Sequence, residues 1–159
     1  MPRLLLKVMA GFALVMQILS AQSDYADKEV CKVCTCSKED VTCTDSSAET
    51  LPEKVFAGLK VLGDMRISMD KLTKLSVRQF EDLTVGGTFS IDGCGSVSEL
   101  PAKLFAGATF RSLFLMRTQI KTLPANLFSG CTVHQILKLS ENKELETNVV
   151  ATPTGHLEP

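Results

Sequence analysis

There is no tryptophan in this chain and only one tyrosine. Aromatic contact at any binding surface therefore falls mainly to the eight phenylalanines. Histidine is scarce too: His134 and His156 stand alone, and no Ser/His/Asp, Cys/His or paired-carboxylate arrangement is phased along the chain. An enzyme is not expected, nor a bound metal or cofactor. No basic block occurs, and 17 Lys and Arg face 18 Asp and Glu, which argues against nucleic acid as a partner. Asn126, Asn142 and Asn148 all lack the Asn-x-Ser/Thr sequon, so N-glycosylation is not expected.

The first residues read as an address. Arg3 and Lys7 flank an apolar run, and Ala21-Gln22-Ser23 is a small-x-small cleavage pattern. The run falls short of the roughly 20 residues that a membrane span needs, and Gln17 and Ser20 interrupt its end. Residues 1–23 are expected to be a signal peptide, cut best after Ser23 and otherwise after Ala21. Removing Arg3 and Lys7 takes the formal charge from −1 to about −3. No later apolar stretch is long enough to span a bilayer, and the polar tail at 148–159 has no lipid-anchor signal. The expectation is a secreted, extracellular protein with no membrane insertion after signal removal.

What the chain has in quantity is a repeat. Stepping by 24 residues, Val41, Met65, Phe89, Leu113 and Leu137 form one register, and Cys43, Ile67, Ile91, Leu115 and Leu139 form another, all apolar. Residues two apart on a short strand face the same side, so both registers point inward and stack on their neighbours. The intervening segments carry phased Leu-Pro-like starts and place Phe56, Phe80, Phe105 and Phe128 in a third register. Unrelated amphipathic helices do not explain such phasing.

The stretch 110–124, F-R-S-L-F-L-M-R-T-Q-I-K-T-L-P, resembles the leucine-rich repeat pattern L-x-x-L-x-L-x-x-N/C-x-L. The expected fold is an α/β repeat solenoid: a short curved domain with about five parallel strands on its concave face and mostly irregular convex loops. Strands are expected at 41–44 and near 64–68, 88–92, 112–116 and 136–140. The asparagine that usually ends the strand is replaced by Ser46, Asp70, Cys94 and Thr118 and appears only as Asn142, which predicts a weakened ladder. The third repeat holds one extra residue and the next loop one fewer. Gly86-Gly87 and Gly93-Cys94-Gly95 mark that repeat as the most pliable.

Ahead of the repeats, behind a linker at 24–30, come Cys31, Cys34, Cys36 and Cys43. In a secreted chain this reads as a disulfide framework rather than a zinc site, and arithmetic alone allows three connectivities. The segment C-K-V-C-T-C-S-K-E-D-V-T-C resembles the cysteine-rich amino-terminal cap of animal extracellular leucine-rich repeat proteins. These include small leucine-rich proteoglycans, Slit-like and Nogo-receptor-like proteins, Toll-type ectodomains and lamprey variable lymphocyte receptors. The resemblance covers residues 31 to about 147, and it implies the pairs Cys31–Cys36 and Cys34–Cys43. The resulting organisation is a cap at 31–50, repeats at 51–147 and a polar tail at 148–159. A polar, stapled hairpin suits that place, because the first strand of a solenoid has no neighbour on one side. Cys94 and Cys131, outside the cap, read as buried thiols.

After Leu145 the pattern fades without the four cysteines of the usual carboxyl-terminal cap. The tail as a cap, a truncated ectodomain of a longer receptor, and a homodimer through the uncapped carboxyl end all stay open.

The outward strand positions line the expected concave face. Most are small and polar, but the fourth row holds Phe114 and Met116 beside Arg117. Aromatic, Met and Arg side chains are enriched at interface centres. Phe114, Met116, Arg117, Arg66, Met69 and Lys138 are therefore the expected contact residues for an extracellular protein ligand, with arginine selecting an acidic rim. The expected function is a secreted recognition module of soluble receptor, decoy or immune type; the alternative is a matrix protein similar to the small proteoglycans.

Overall fold

A computed structural model describes residues 29–45 and 47–146. The signal peptide, most of the linker, Ser46 and the polar tail lie outside the described residues.

The elements in chain order are α1 (Val30–Val33), β1 (Thr35–Cys36), β2 (Val41–Cys43), β3 (Lys60–Val61), β4 (Met65–Ile67), β5 (Thr84–Asp92), β6 (Thr109–Met116) and β7 (Thr132–Lys138). Strands β2, β4, β5, β6 and β7 lie side by side and parallel, in that order, with β1 antiparallel on the outer edge of β2. The register sets Val41 beside Met65, Met65 beside Phe89, Phe89 beside Leu113 and Leu113 beside Leu137. This is a parallel β-solenoid. Its first four inward residues, Val41, Met65, Phe89 and Leu113, are fully buried.

The α/β description does not hold for the repeats: among the described residues the helix is confined to the four residues of α1, in the cap. The convex segments turn instead as successive tight loops. In the first, Val55 donates to the Pro52 carbonyl, Ala57 to Lys54 and Leu59 to Phe56, all three residues back. Left-handed residues break each segment at a matching place, with Gly58, Asp82, Gly107 and Gly130 at φ of 67, 54, 67 and 69°, and the first three segments again at Lys54, Arg78 and Lys103. A helix cannot propagate through such residues. The space behind the sheet is filled by rings. Phe56, Phe80, Phe105 and Phe128 stack in sequence with centroids 5.3, 5.6 and 5.7 Å apart, and Phe89 and Phe110 close on them from the sheet side. Buried aromatic pairs at these spacings each contribute about 0.5–1.5 kcal/mol beyond area burial.

A second parallel ladder lies upstream of the first. β3 pairs with the start of β5, and Val61, Val85, Phe110 and Val133 align across four coils, all buried. Strands β5, β6 and β7 are long because each runs through the corner between the two ladders. At that corner β5 carries Gly86 and Gly87, where an added Cβ would collide with the Leu62 carbonyl oxygen and the Asp64 carboxylate. These glycines allow close approach between coils. The missing residue that restores phase falls within β6, between Phe110 and Ser112, and not in the following loop.

The cap closes the first coil. Cys31 is bonded to Cys36 and Cys34 to Cys43, the pairs that the resemblance implies. Cys43 is fully buried on β2, so the second bond ties the hairpin into the core.

Candidate functional site

Outward positions of the parallel strands form lateral rows. One runs through Thr42, Arg66, Ser90, Phe114 and Lys138. The next pairs Asp92 with Met116. Phe114 and Met116 are both half-buried, while Arg66, Arg117 and Lys138 are exposed. Five of the six expected contact residues thus share one face of the sheet or its edge.

Met69 does not. It is 1% exposed and belongs to the core. It holds the place of Arg117 two coils earlier, but Gly93, Arg117 and Glu141 are left-handed there and Met69 is not, so it keeps the inward side of Met65 and Ile67. The next residue, Asp70, faces solvent.

The centre of the site is Asp92, which the sequence presents only as one outward residue among many. Its side chain is 8% exposed and sits between the two arginines. Arg117 donates from Nε to Oδ1 at 2.7 Å and from NH2 to Oδ2 at 2.6 Å, and Arg66 donates from NH2 to Oδ2 at 3.1 Å. The first two bonds make a planar fork on one carboxylate, the strongest geometry for this pair. This hydrogen bonding, and then the Asp92 charge, raises the Arg117 pKa above its ordinary value, with Glu141 adding to the effect. The guanidinium side chains stay about half exposed, at 51% for Arg66 and 55% for Arg117. A carboxylate that is itself nearly buried therefore aligns two cations that reach water. The spacing carried a usable signal: Arg66, Asp92 and Arg117 follow one another by 26 and 25 residues, next to the 24-residue period.

The turn that ends each strand positions Arg117. Gly93, Arg117 and Glu141 occupy one turn position in successive coils, and all are left-handed, with φ of 75, 51 and 64°. Glycine accepts this region freely, whereas arginine and glutamate incur a cost of roughly 1–2 kcal/mol there. Arg117 is held in it by its fork on Asp92 and by the next residue, Thr118. Thr118 donates from its backbone N to Asn142 Oδ1 at 3.0 Å and from Oγ1 at 2.7 Å. Asn142 Nδ2 in turn donates to the carbonyls of Leu115 and Leu139.

Beyond this turn opens a groove of about 710 Å³, lined by Gly95, Arg117, Thr118, Gln119, Lys121, Glu141, Lys143 and Glu144. Arg117 belongs to both the groove and the Asp92 cluster. The most exposed large apolar residues, Leu62 at 66% and Val77 at 58%, lie elsewhere, at the corner after β3 and on a convex segment. Among the described residues no group of three His, Cys, Asp or Glu could hold a metal ion. No protein-family profile, curated protein or solved structure matches this chain.

Proposed function

We propose that this is a secreted protein-binding module of the leucine-rich repeat type, which recognises an extracellular protein partner through the outward face of its parallel sheet. The repeat assignment is supported by the 24-residue register shared by five parallel strands, and by the amide of Asn142 bridging adjacent coils. Secretion is supported by two disulfides in the cap, since such bonds persist in oxidising compartments. The role is binding and not catalysis.

The observation that carries the reading is the row Arg66, Ser90, Phe114, Lys138, in which a large ring stands on an otherwise small and polar face with cations on either side. Apolar and aromatic anchors ringed by charge are the composition of interface centres. Phe114 and Met116 supply contact area, and Arg66, Arg117 and Lys138 select an acidic rim. The test is capture from native extracellular fluid with the wild-type chain beside a Phe114→Asp, Met116→Asp double variant whose fold is checked by circular dichroism. A partner held by the first and lost by the second is the expected result. Equal capture by both defeats the reading.

A further inference from the structure

We propose that Arg117 and Arg66, aligned by Asp92, receive a carboxylate from an acidic extended segment of a protein partner, which then lies along the groove that opens at Arg117. This rests on the binding role assigned above and names the chemistry of its central contact.

Three observations meet here. The first is charge. Two guanidiniums share the single carboxylate of Asp92, so the cluster keeps one uncompensated positive charge at the surface. The second is donor geometry. Each guanidinium carries five N–H donors in a planar fork; Arg117 commits its Nε and one NH2 to Asp92, and Arg66 one NH2. Both side chains stay about half exposed with donors to spare, and a carboxylate fits a guanidinium edge with two parallel hydrogen bonds. Because Asp92 already holds both groups, little side-chain freedom is lost on binding. The third is shape. The groove continues from Arg117 past Gly95, Thr118 and Gln119, with Lys121 and Lys143 set against Glu141 and Glu144. Its two lysines balance its two glutamates, so the one net positive charge of the combined site is that of the arginine pair, and the polar lining of the groove suits a backbone.

A sulfated glycan offers the same charge chemistry but fits less well. The cations on this face are interrupted by Phe114 and Met116, which have nothing to contact on a glycan. A protein segment that alternates acidic and apolar side chains meets both.

The experiment is fluorescence anisotropy with a short labelled peptide of alternating glutamate and leucine, its glutamine-for-glutamate counterpart, and heparin. The full secreted chain is expected to bind the glutamate peptide about tenfold more tightly than the glutamine peptide, a difference of about 1.4 kcal/mol. Arg117→Gln and Arg66→Gln should each bring that preference below about threefold. Arg117→Gly should do the same, and it guards against misfolding because glycine relieves the left-handed backbone as Gly93 does one coil earlier. Phe114→Ser with Met116→Ser, which changes no charge, should weaken both peptides alike. If it leaves both unchanged while the glutamate preference persists, the apolar reading of the face fails and the carboxylate site stands. The carboxylate site is overturned by equal affinity for the two peptides, by binding of neither, by tighter binding of heparin, or by a preference that survives Arg117→Gly. Self-association of the chain abolished by Arg117→Gln overturns it too, in favour of a second copy as the occupant.

Discussion

The turn that follows β5 and the turns that follow β6 and β7 occupy the same place in successive coils and solve the same problem with different chemistry. After β6 and β7, Asn142 bridges the coils with four hydrogen bonds, to the Thr118 backbone N and Oγ1 and to the Leu115 and Leu139 carbonyls. After β5 the equivalent side chain is Cys94, whose sulfur accepts from the Met69 backbone N at 3.5 Å and donates to the Ile67 carbonyl at 3.8 Å. The carbonyl partners correspond, since Ile67 and Leu115 both end the inward pair of the preceding strand, while the N–H donor to the thiol sits one residue earlier than the donor to the amide. A buried thiol is a weak donor and acceptor, so the earlier turn keeps the topology of the amide bridge at lower strength. The difference teaches that a buried group which both donates and accepts ties the later coils together, and that a poor one serves where glycine at position 93 relaxes the backbone. Where Arg117 replaces that glycine, the full amide bridge stands beside it.

The comparison is broken most severely at Asn142. Asn142→Ala strands the buried Thr118 N–H and the Leu115 carbonyl, and the unfolding free energy should fall by about 3 kcal/mol, from about 1–3 kcal/mol for each unsatisfied group with partial relaxation. Urea denaturation followed by circular dichroism measures it, and a loss no greater than that of an exposed alanine substitution would remove the bridge as a stabilising element.

A smaller effect tests the thiol as a substitute. Two buried thiols have raised pKa values: Cys94, chiefly through burial, and Cys131, pushed up by burial from 9.0 to about 12. In each case the folded state resists ionisation more than the unfolded chain does. The effect of both is complete below pH 9 and is lost as pH rises above it, for Cys131 toward about 12, because the unfolded state then binds fewer protons than the native state. Wild type should therefore lose stability across this window faster than a Cys94→Asn, Cys131→Ala double variant. Parallel curves for the two proteins would show that the thiols do not drive the pH dependence.

The mildest change restores the amide at neutral pH. Cys94→Asn places an amide carbonyl near the Met69 N–H and an amide N–H near the Ile67 carbonyl, and should raise stability by about 1 kcal/mol, the net worth of a good buried hydrogen bond. A fall in the denaturation midpoint would show that the coil spacing here is set for sulfur.

The inward core was legible because it depends on periodicity alone. Val41, Met65, Phe89, Leu113 and Leu137 repeat at one step, and any parallel stacking of that step buries them together. The phenylalanine column was legible for the same reason. The second ladder through Val61, Val85, Phe110 and Val133 was harder to see, because in β3 it is two residues long and no alternation develops in so short a strand. Met69 was misplaced outward because it shares a turn position with Gly93, Arg117 and Glu141, and only a left-handed backbone turns that position outward. Arg66, Arg117, Phe114, Met116 and Lys138 could be placed on one face from register, but Asp92 as the group that joins the two arginines could not.

What the sequence by itself determined is the repeat: its step, its inward side chains, its phenylalanine register and the cysteines of its cap. These are properties of spacing along one chain, and burial of apolar side chains acts on spacing directly. Only the tertiary structure decided the rest: convex segments without helix, the corner glycines, the inward turn of Met69, and the shared carboxylate of Asp92. Each depends on a contact between residues on adjacent coils or on a left-handed turn between them, and such contacts form only once the coils have stacked.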